Sequence, residues 1–178
     1  MLRFDNKTTV LKVFFDDPLP EFGFQLRQLG RICKLAPLSV KNYLDELQKD
    51  NLIIIKKHPV NKYPLYYPNR DDEKFRMAKR LFMQRQLYEC GLIDHIYTKC
   101  LPQAIILFGS TALGEDVKES DIDLCVISGD KKLELAKFEG LLSRKINIIF
   151  RKDFGKISKE LKNNIINGII LKGYLKVF

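Results

Sequence analysis

The stretch Ala104-Ile105-Ile106-Leu107-Phe108-Gly109-Ser110, followed by Ser120-Asp121-Ile122-Asp123-Leu124, decides the fold. An unbroken apolar run ending in Gly-Ser is how a buried strand delivers the chain into a tight turn before a helix. Glycine lets the backbone approach a ligand closely, and free N–H groups in the first turn of a helix, with a seryl hydroxyl beside them, suit phosphate oxygens. Further on, Asp121 and Asp123 sit two apart in a second strand-like run. The period of two predicts both carboxylates on one face while Ile122 and Leu124 enter the core. Paired carboxylates repel, and each would hold a proton more tightly unless a cation lay between them. Mg²⁺, which prefers carboxylate and phosphate oxygens, answers that need. Singly, Gly-Ser reads as an ordinary turn and Asp-Ile-Asp as a solvated strand end. Together, the strand, Gly-Ser, short helix and aspartate strand predict a site for a triphosphate and a divalent ion.

The run Gly-Ser-Thr-Ala-Leu-Gly-Glu-Asp-Val-Lys-Glu-Ser-Asp-Ile-Asp-Leu, residues 109–124, resembles the signature of the minimal nucleotidyltransferases of the polymerase-beta superfamily. The resemblance implies a small mixed-sheet nucleotidyltransferase fold with Gly109 and Ser110 on the phosphates of an NTP. It also implies Asp121 and Asp123 on Mg²⁺, two ions in the full arrangement, for in-line attack by a hydroxyl on the α-phosphate. Active members usually carry a third acidic residue on a later strand. Here the strand Ile146-Asn147-Ile148-Ile149-Phe150 aligns by pattern, and its inward polar residue is Asn147, which is neutral and cannot accept a proton. Asn147 is left to orient a water, and Asp153, past the strand end, is the candidate substitute.

The chain has 178 residues, 46% of them hydrophobic, enough for one large domain or two small ones; the motifs favour two. Cys33, Cys90, Cys100 and Cys125 have no metal-type pairing and fall on apolar faces, which predicts reduced thiols and a cytoplasmic protein. His58 and His95 lie in different elements without a nearby ligand set, so they read as surface or satisfied histidines rather than a zinc pair. No apolar run approaches membrane-spanning length, and Asp5 with its polar neighbours does not read as a targeting signal.

A formal charge of +9 favours an anionic partner. Residues 1–70 hold 12 Lys and Arg against 7 Asp and Glu, whereas residues 71–178 hold 19 against 15, so the smaller segment is the more basic. That segment, domain 1–68, reads as a winged helix-turn-helix. Val10, Leu11, Phe14 and Phe15, then Leu26, Leu29 and Cys33, recur at helical spacing. Pro37 opens a third helix with an apolar stripe of Val40, Tyr43, Leu44 and Leu47. Its other face offers Ser39, Lys41, Asn42 and Lys49 to phosphates and base edges, as a recognition helix would. Ala36 stands where a polar cap is usual, at a cost of about 1 kcal/mol to that helix. Leu52 to Ile55 and Leu65 to Tyr67, joined by a turn with Lys56, Lys57 and Lys62, predict a basic hairpin, the wing. This half resembles the winged-helix domains fused to archaeal-type nucleotidyltransferases, which implies DNA as partner; a protein-docking module is the alternative.

Residues 69–101 read as a helical connector. Asn69 to Asp72 cap a helix with Phe75, Ala78, Leu81 and Phe82 on its apolar face, Gly91 stops it, and a shorter helix carries Leu92, Ile93, Ile96 and Tyr97. These helices either pack on the catalytic sheet or pair across a homodimer. Residues 102–178 complete an α+β protein. A helix through Leu133, Ala136 and Leu141 is predicted, then the Asn147 strand, a helix through Ile157, Leu161 and Ile165 capped by Gly168, and the strand Ile169 to Leu171, with helices on one face of the sheet. Two functions fit. In one, an enzyme transfers NMP to a hydroxyl on a protein or small molecule; the resemblance includes antitoxin-like members that modify a small helical partner. In the other, the domain binds nucleotide without transfer and tunes a DNA-binding regulator.

Overall fold

A computed structural model describes residues 4–177; residues 1–3 and 178, at the outer ends of the two predicted domains, lie outside the described residues. The chain divides into two compact units at Lys79/Arg80.

The N-terminal unit holds three helices and a hairpin. Helix α1 (Asn6–Asp16) is capped by Asp5, whose side chain accepts from the Thr8 N–H at 2.7 Å. Hydrogen bonding to the ionised form holds the Asp5 carboxyl below its ordinary pKa. Helices α2 (Leu26–Cys33) and α3 (Pro37–Lys49) follow, joined by Lys34 in the left-handed region. Proline at the start of α3 is pre-set for a helix, and Ala36 supplies no side-chain cap. Val10, Phe14, Phe24, Leu29, Leu44 and Tyr66 are buried, with the rings of Phe14 and Phe24 edge to face at 5.3 Å. Strands β1 (Ile53–Lys57) and β2 (Pro64–Pro68) pair antiparallel from Ile53 opposite Pro68 to Lys57 opposite Pro64. A bridge between Phe24 and Tyr66, two hydrogen bonds of 2.8 and 2.9 Å, ties the segment before α2 to β2.

Helix α4 (Glu73–Glu89) contains the division between the units; Asp72 accepts from the Lys74 N–H at 2.8 Å at its start. Phe75 and Phe82 are buried as predicted, but Leu81 is exposed, and Met83 and Leu87 face the core instead. The buried stripe is shifted around the helix from the expected one, keeping Phe75 and Phe82 and taking Met83 and Leu87 in place of Leu81.

The C-terminal unit continues with α5 (Leu92–Cys100), β3 (Ala104–Phe108), α6 (Gly109–Leu113), β4 (Ile122–Ile127), α7 (Ala136–Leu142), β5 (Ile146–Arg151), a 3₁₀ turn (Phe154–Lys156), α8 (Lys159–Ile166) and β6 (Ile169–Gly173). The sheet runs β5-β4-β3-β6; β4 and β5 are parallel and the other pairs antiparallel. Helices cover both faces, where one was expected. All five residues of β3 are buried, so neither face can be left to water. Ile105 and Leu107 join one core with Leu87, Ile93 and Ile96, whereas Ala104, Ile106 and Phe108 join another with Phe154, Ile157 and Ile165. In α7 the buried residue is Phe138 and Leu141 is exposed, again a different helical phase from the expected one. Asn167, not Gly168, caps α8. Gly168 is needed for a close approach, since a Cβ there would lie 2.5 Å from the Leu107 carbonyl oxygen.

Candidate active site

The site begins at the end of β3. Register places Asp123 opposite Phe108 on one side and Asn147 on the other, so one row crosses three strands and the carboxylate stands one residue from the Gly-Ser turn. Gly109 has φ +73°, and a Cβ there would sit 2.7 Å from Asp123 Oδ2. Both the backbone conformation and the carboxylate's approach therefore require glycine. The Asn147 side chain donates from Nδ2 to Asp123 Oδ1 at 3.0 Å.

Asp121 lies just before β4 and is exposed. Its placement comes from α6. The buried Thr111 hydroxyl donates to the Asp121 carbonyl at 3.1 Å, and the loop between turns sharply at Val117, whose N–H donates to Ser120 Oγ at 2.9 Å. Beneath that loop, Arg144 donates to the buried Asp116 carboxylate at 2.5 Å, and Glu139 accepts from the Ile146 N–H at 3.0 Å. Thus α6, the loop and the start of β5 are fastened around the aspartates. Asp153 is occupied elsewhere, accepting from the Gly155 N–H at 2.8 Å. Among the described residues, no group of three or more His, Cys, Asp or Glu side chains is placed to hold a metal ion. Cys125, on the same face of β4 as Asp123, is buried, which pushes its thiol up to about 11.

A cavity of about 260 Å³ opens beside the Gly-Ser turn, lined by Gly109, Ser110, Leu113 and Glu115 on one side and by Asn164 and Asn167 at the end of α8 on the other. Sequence reading missed those two asparagines. Their signal was weak: Asn164 follows Asn163 in a helix although asparagine is a poor helix former, and Asn167 stands just past the helix end.

Residues 93–172 match the nucleotidyltransferase domain family. The match contains Gly109, Ser110, Asp121, Asp123 and Asn147, and it supports nucleotidyl transfer in general. A solved structure of a candidate nucleotidyltransferase from Sulfolobus solfataricus is 16% identical, over 56% of this chain and 92% of that one; the TM-score is 0.32, too low to bear on fold or activity. No curated protein matches.

In the N-terminal unit, Asn42 and Lys49 on α3 are exposed and Ser39 is half-buried, while Lys41 is engaged in an ion pair with Asp45 one turn on. Lys56 and Lys57 are exposed at the end of β1, with the Lys56 ammonium 5.0 Å from the Tyr67 ring centre. Lys62, at φ +58°, donates to the Pro59 carbonyl at 2.7 Å. His58 belongs to the same turn, its Nδ1 accepting from the Val60 and Asn61 N–H groups at 3.2 Å each. His95 differs from the satisfied histidine expected: its Nε2 is buried without a partner among the described residues. No helix among the described residues is long and apolar enough to cross a membrane.

Proposed function

We propose that the nucleotidyltransferase domain transfers a nucleoside monophosphate from an NTP to a hydroxyl on a protein or small molecule, and that the N-terminal unit is a winged helix-turn-helix that binds DNA. The observation that carries the first part is the row Phe108, Asp123, Asn147, with Gly109 held beneath the Asp123 carboxylate. Gly109 and Ser110 present backbone and hydroxyl to phosphate oxygens without a side chain in the way. The donor set fits Mg²⁺ arriving with a nucleotide, because that ion is usually held by one or two carboxylates plus phosphates. Asp121 and Asp123 would hold it, and when bound it neutralises charge at the transferring phosphoryl group. Asn147 steadies Asp123 through its Nδ2–H and leaves the acceptor's proton without a third carboxylate.

That last point favours a second reading, in which the domain binds nucleotide but does not transfer it and occupancy alters DNA binding. Asn147→Asp separates the two: a higher transfer rate would mean an active site limited by the missing carboxylate, and an unchanged rate would reject that limitation.

Support for DNA binding is the order of three helices and a hairpin, the Phe24 bridge that extends the hairpin, and the basic residues at its tip. Antitoxin-like pairing with a small helical protein, a cytoplasmic setting and dimerisation on a palindromic site belong to the same proposal; a sedimenting monomer with and without DNA would count against the dimer. The test is incubation with α-labelled ATP, CTP, GTP or UTP, Mg²⁺ and cell extract beside the Asp121→Ala/Asp123→Ala protein. Label on an acceptor, absent with the variant, is the expected result, and no label with either protein would reject transfer.

A further inference from the structure

The sheet of the C-terminal unit has a second end, away from the Gly-Ser turn. There a row again crosses the strands: Arg151 stands opposite Ile127, the Ile127 carbonyl accepts from the Gln103 N–H at 2.9 Å, and the Gln103 carbonyl accepts from the Tyr174 N–H at 3.1 Å. Ile127 lies four residues along β4 from Asp123, about 13 Å at ~3.3 Å per residue. The two ends differ in charge. Residues 109–123, with Arg144 and Lys145 just before β5, hold five carboxylates against three cations. At the far end six cations, Lys99, Lys131, Lys132, Arg151, Lys152 and Lys172, meet the carboxylates of Asp130, Glu134 and Asp153.

All six are exposed, and none makes an ion pair among the described residues. The C-terminal dipole of α5 accounts for Lys99 but not for the other five. Contacts join the elements that carry them. Lys99 and Lys132 line one cavity of about 310 Å³ with His95, Leu133 and Glu134. A Cβ at Gly129 would lie 3.4 Å from Lys152 Cε, so the chain after β5 lies against the connection after β4. Two open aromatic rings stand at the same end. Tyr97 is 41% and Tyr174 68% exposed, and the Lys172 ammonium lies 4.9 Å from the centre of the Tyr97 ring. Cations suit any polyanion, but an open ring beside them suits one that also has flat faces to stack. An acidic peptide lacks such faces and a duplex hides them. Four strand ends at ~4.8 Å spacing span about 14 Å, room for a short run of nucleotides.

We propose that this end of the sheet binds single-stranded nucleic acid, with the lysines on its phosphates and Tyr174 against a base. The strand is held there at a distance from Asp123, as an anchored chain and not as the reacting group, so the proposal stands whether or not the domain transfers a nucleotide. The full chain is titrated by fluorescence anisotropy with labelled oligo(dT) and oligo(U) over a range of salt. Beside the wild type stand Lys131→Ala/Lys132→Ala/Lys152→Ala, Tyr174→Ala and the hairpin variant Lys56→Ala/Lys57→Ala/Lys62→Ala. The wild type is expected to bind, and the tighter oligonucleotide identifies DNA or RNA as the source. In the first variant the slope of log affinity against log salt becomes shallower by about 0.7 for each phosphate lost, up to about 2 in all. Tyr174→Ala weakens binding at least about fivefold with the slope unchanged, the scale of one stacked base. The hairpin variant binds single strands as the wild type does. No binding by the wild type overturns the proposal, as does a loss confined to the hairpin variant, which gives the single strand to the N-terminal unit. Polyglutamate competing as well as the oligonucleotide, with Tyr174→Ala unchanged, overturns it in favour of an acidic protein partner. Duplex competing equally overturns the choice of a single strand.

Discussion

The two units of this chain make their candidate sites by opposite means. In the C-terminal unit the groups that matter are few and held by buried structure. Sheet register aligns Asp123 with Asn147, a glycine makes room for the carboxylate, and the Thr111 hydroxyl fixes the backbone of Asp121. In the N-terminal unit the candidate residues are spread over one helix and a turn, mostly in water, and several have local partners: Lys41 with Asp45, Lys62 with its own turn, Lys56 with Tyr67. The first arrangement depends on geometry, and single changes should break it. The second depends on summed charge, so it should weaken by degrees and respond to salt.

The sharpest break expected is Arg144→Ala. It leaves the Asp116 carboxylate, only 2% exposed, without its arginine, and removing one partner of a buried pair costs about 3–5 kcal/mol. Urea unfolding followed in the C-terminal unit should register that loss; a change under about 1 kcal/mol, the scale of an exposed pair, would mean that Arg144 and Asp116 are not what fastens the loop.

Next in size is the joint replacement of Lys56, Lys57 and Lys62 by alanine. The slope of log affinity for duplex DNA against log salt should become shallower by about 0.9 for each phosphate that these lysines neutralise, with stability unchanged. A single lysine carrying the whole effect would make the hairpin resemble the C-terminal site and dissolve the contrast.

Gly109→Ala sharpens the same contrast from the other side. A left-handed alanine costs roughly 1–2 kcal/mol, and its Cβ must displace Asp123 Oδ2, so nucleotide binding should suffer beyond the loss of stability. Retained binding in a folded variant would refute the requirement for glycine.

The smallest effect is at Asp5. Its carboxyl is held below the ordinary value by the Thr8 N–H, so its contribution is present above the unfolded-state pKa and is lost as pH falls through the lower folded-state value. Asp5→Ala should cost about 1 kcal/mol near neutral pH and little in strong acid; equal losses at both would assign the effect to something other than the cap.

The elements that carry the candidate residues of the C-terminal unit were legible because they follow short-range rules. An apolar run into Gly-Ser gives strand, turn and helix, whereas the row of Asp123 with Asn147 comes from the register of β4 on β5, which the sequence approached only through the family resemblance. The general order of helices and hairpin in the N-terminal unit was legible for the same reason. Helical phase was not: Leu81 and Leu141 looked like core residues and are exposed, because an apolar-rich helix offers more than one stripe and only packing chooses. The Asp116–Arg144 pair and the two asparagines beside the Gly-Ser turn were illegible because they join residues 28 or more apart, which no local spacing announces. Helices on both faces could have been inferred from β3, whose five apolar residues leave no side for water.

Both readings of the C-terminal unit share one claim, that Asp121 and Asp123 serve a nucleotide bound at Gly109 and Ser110. Calorimetric titration of NTP into the full chain, with Mg²⁺ and then with EDTA, for wild type and Asp121→Ala/Asp123→Ala, tests it most directly. Saturable, Mg²⁺-dependent binding that the double variant loses is the predicted result. Binding that survives in the variant, or none in the wild type, would contradict it.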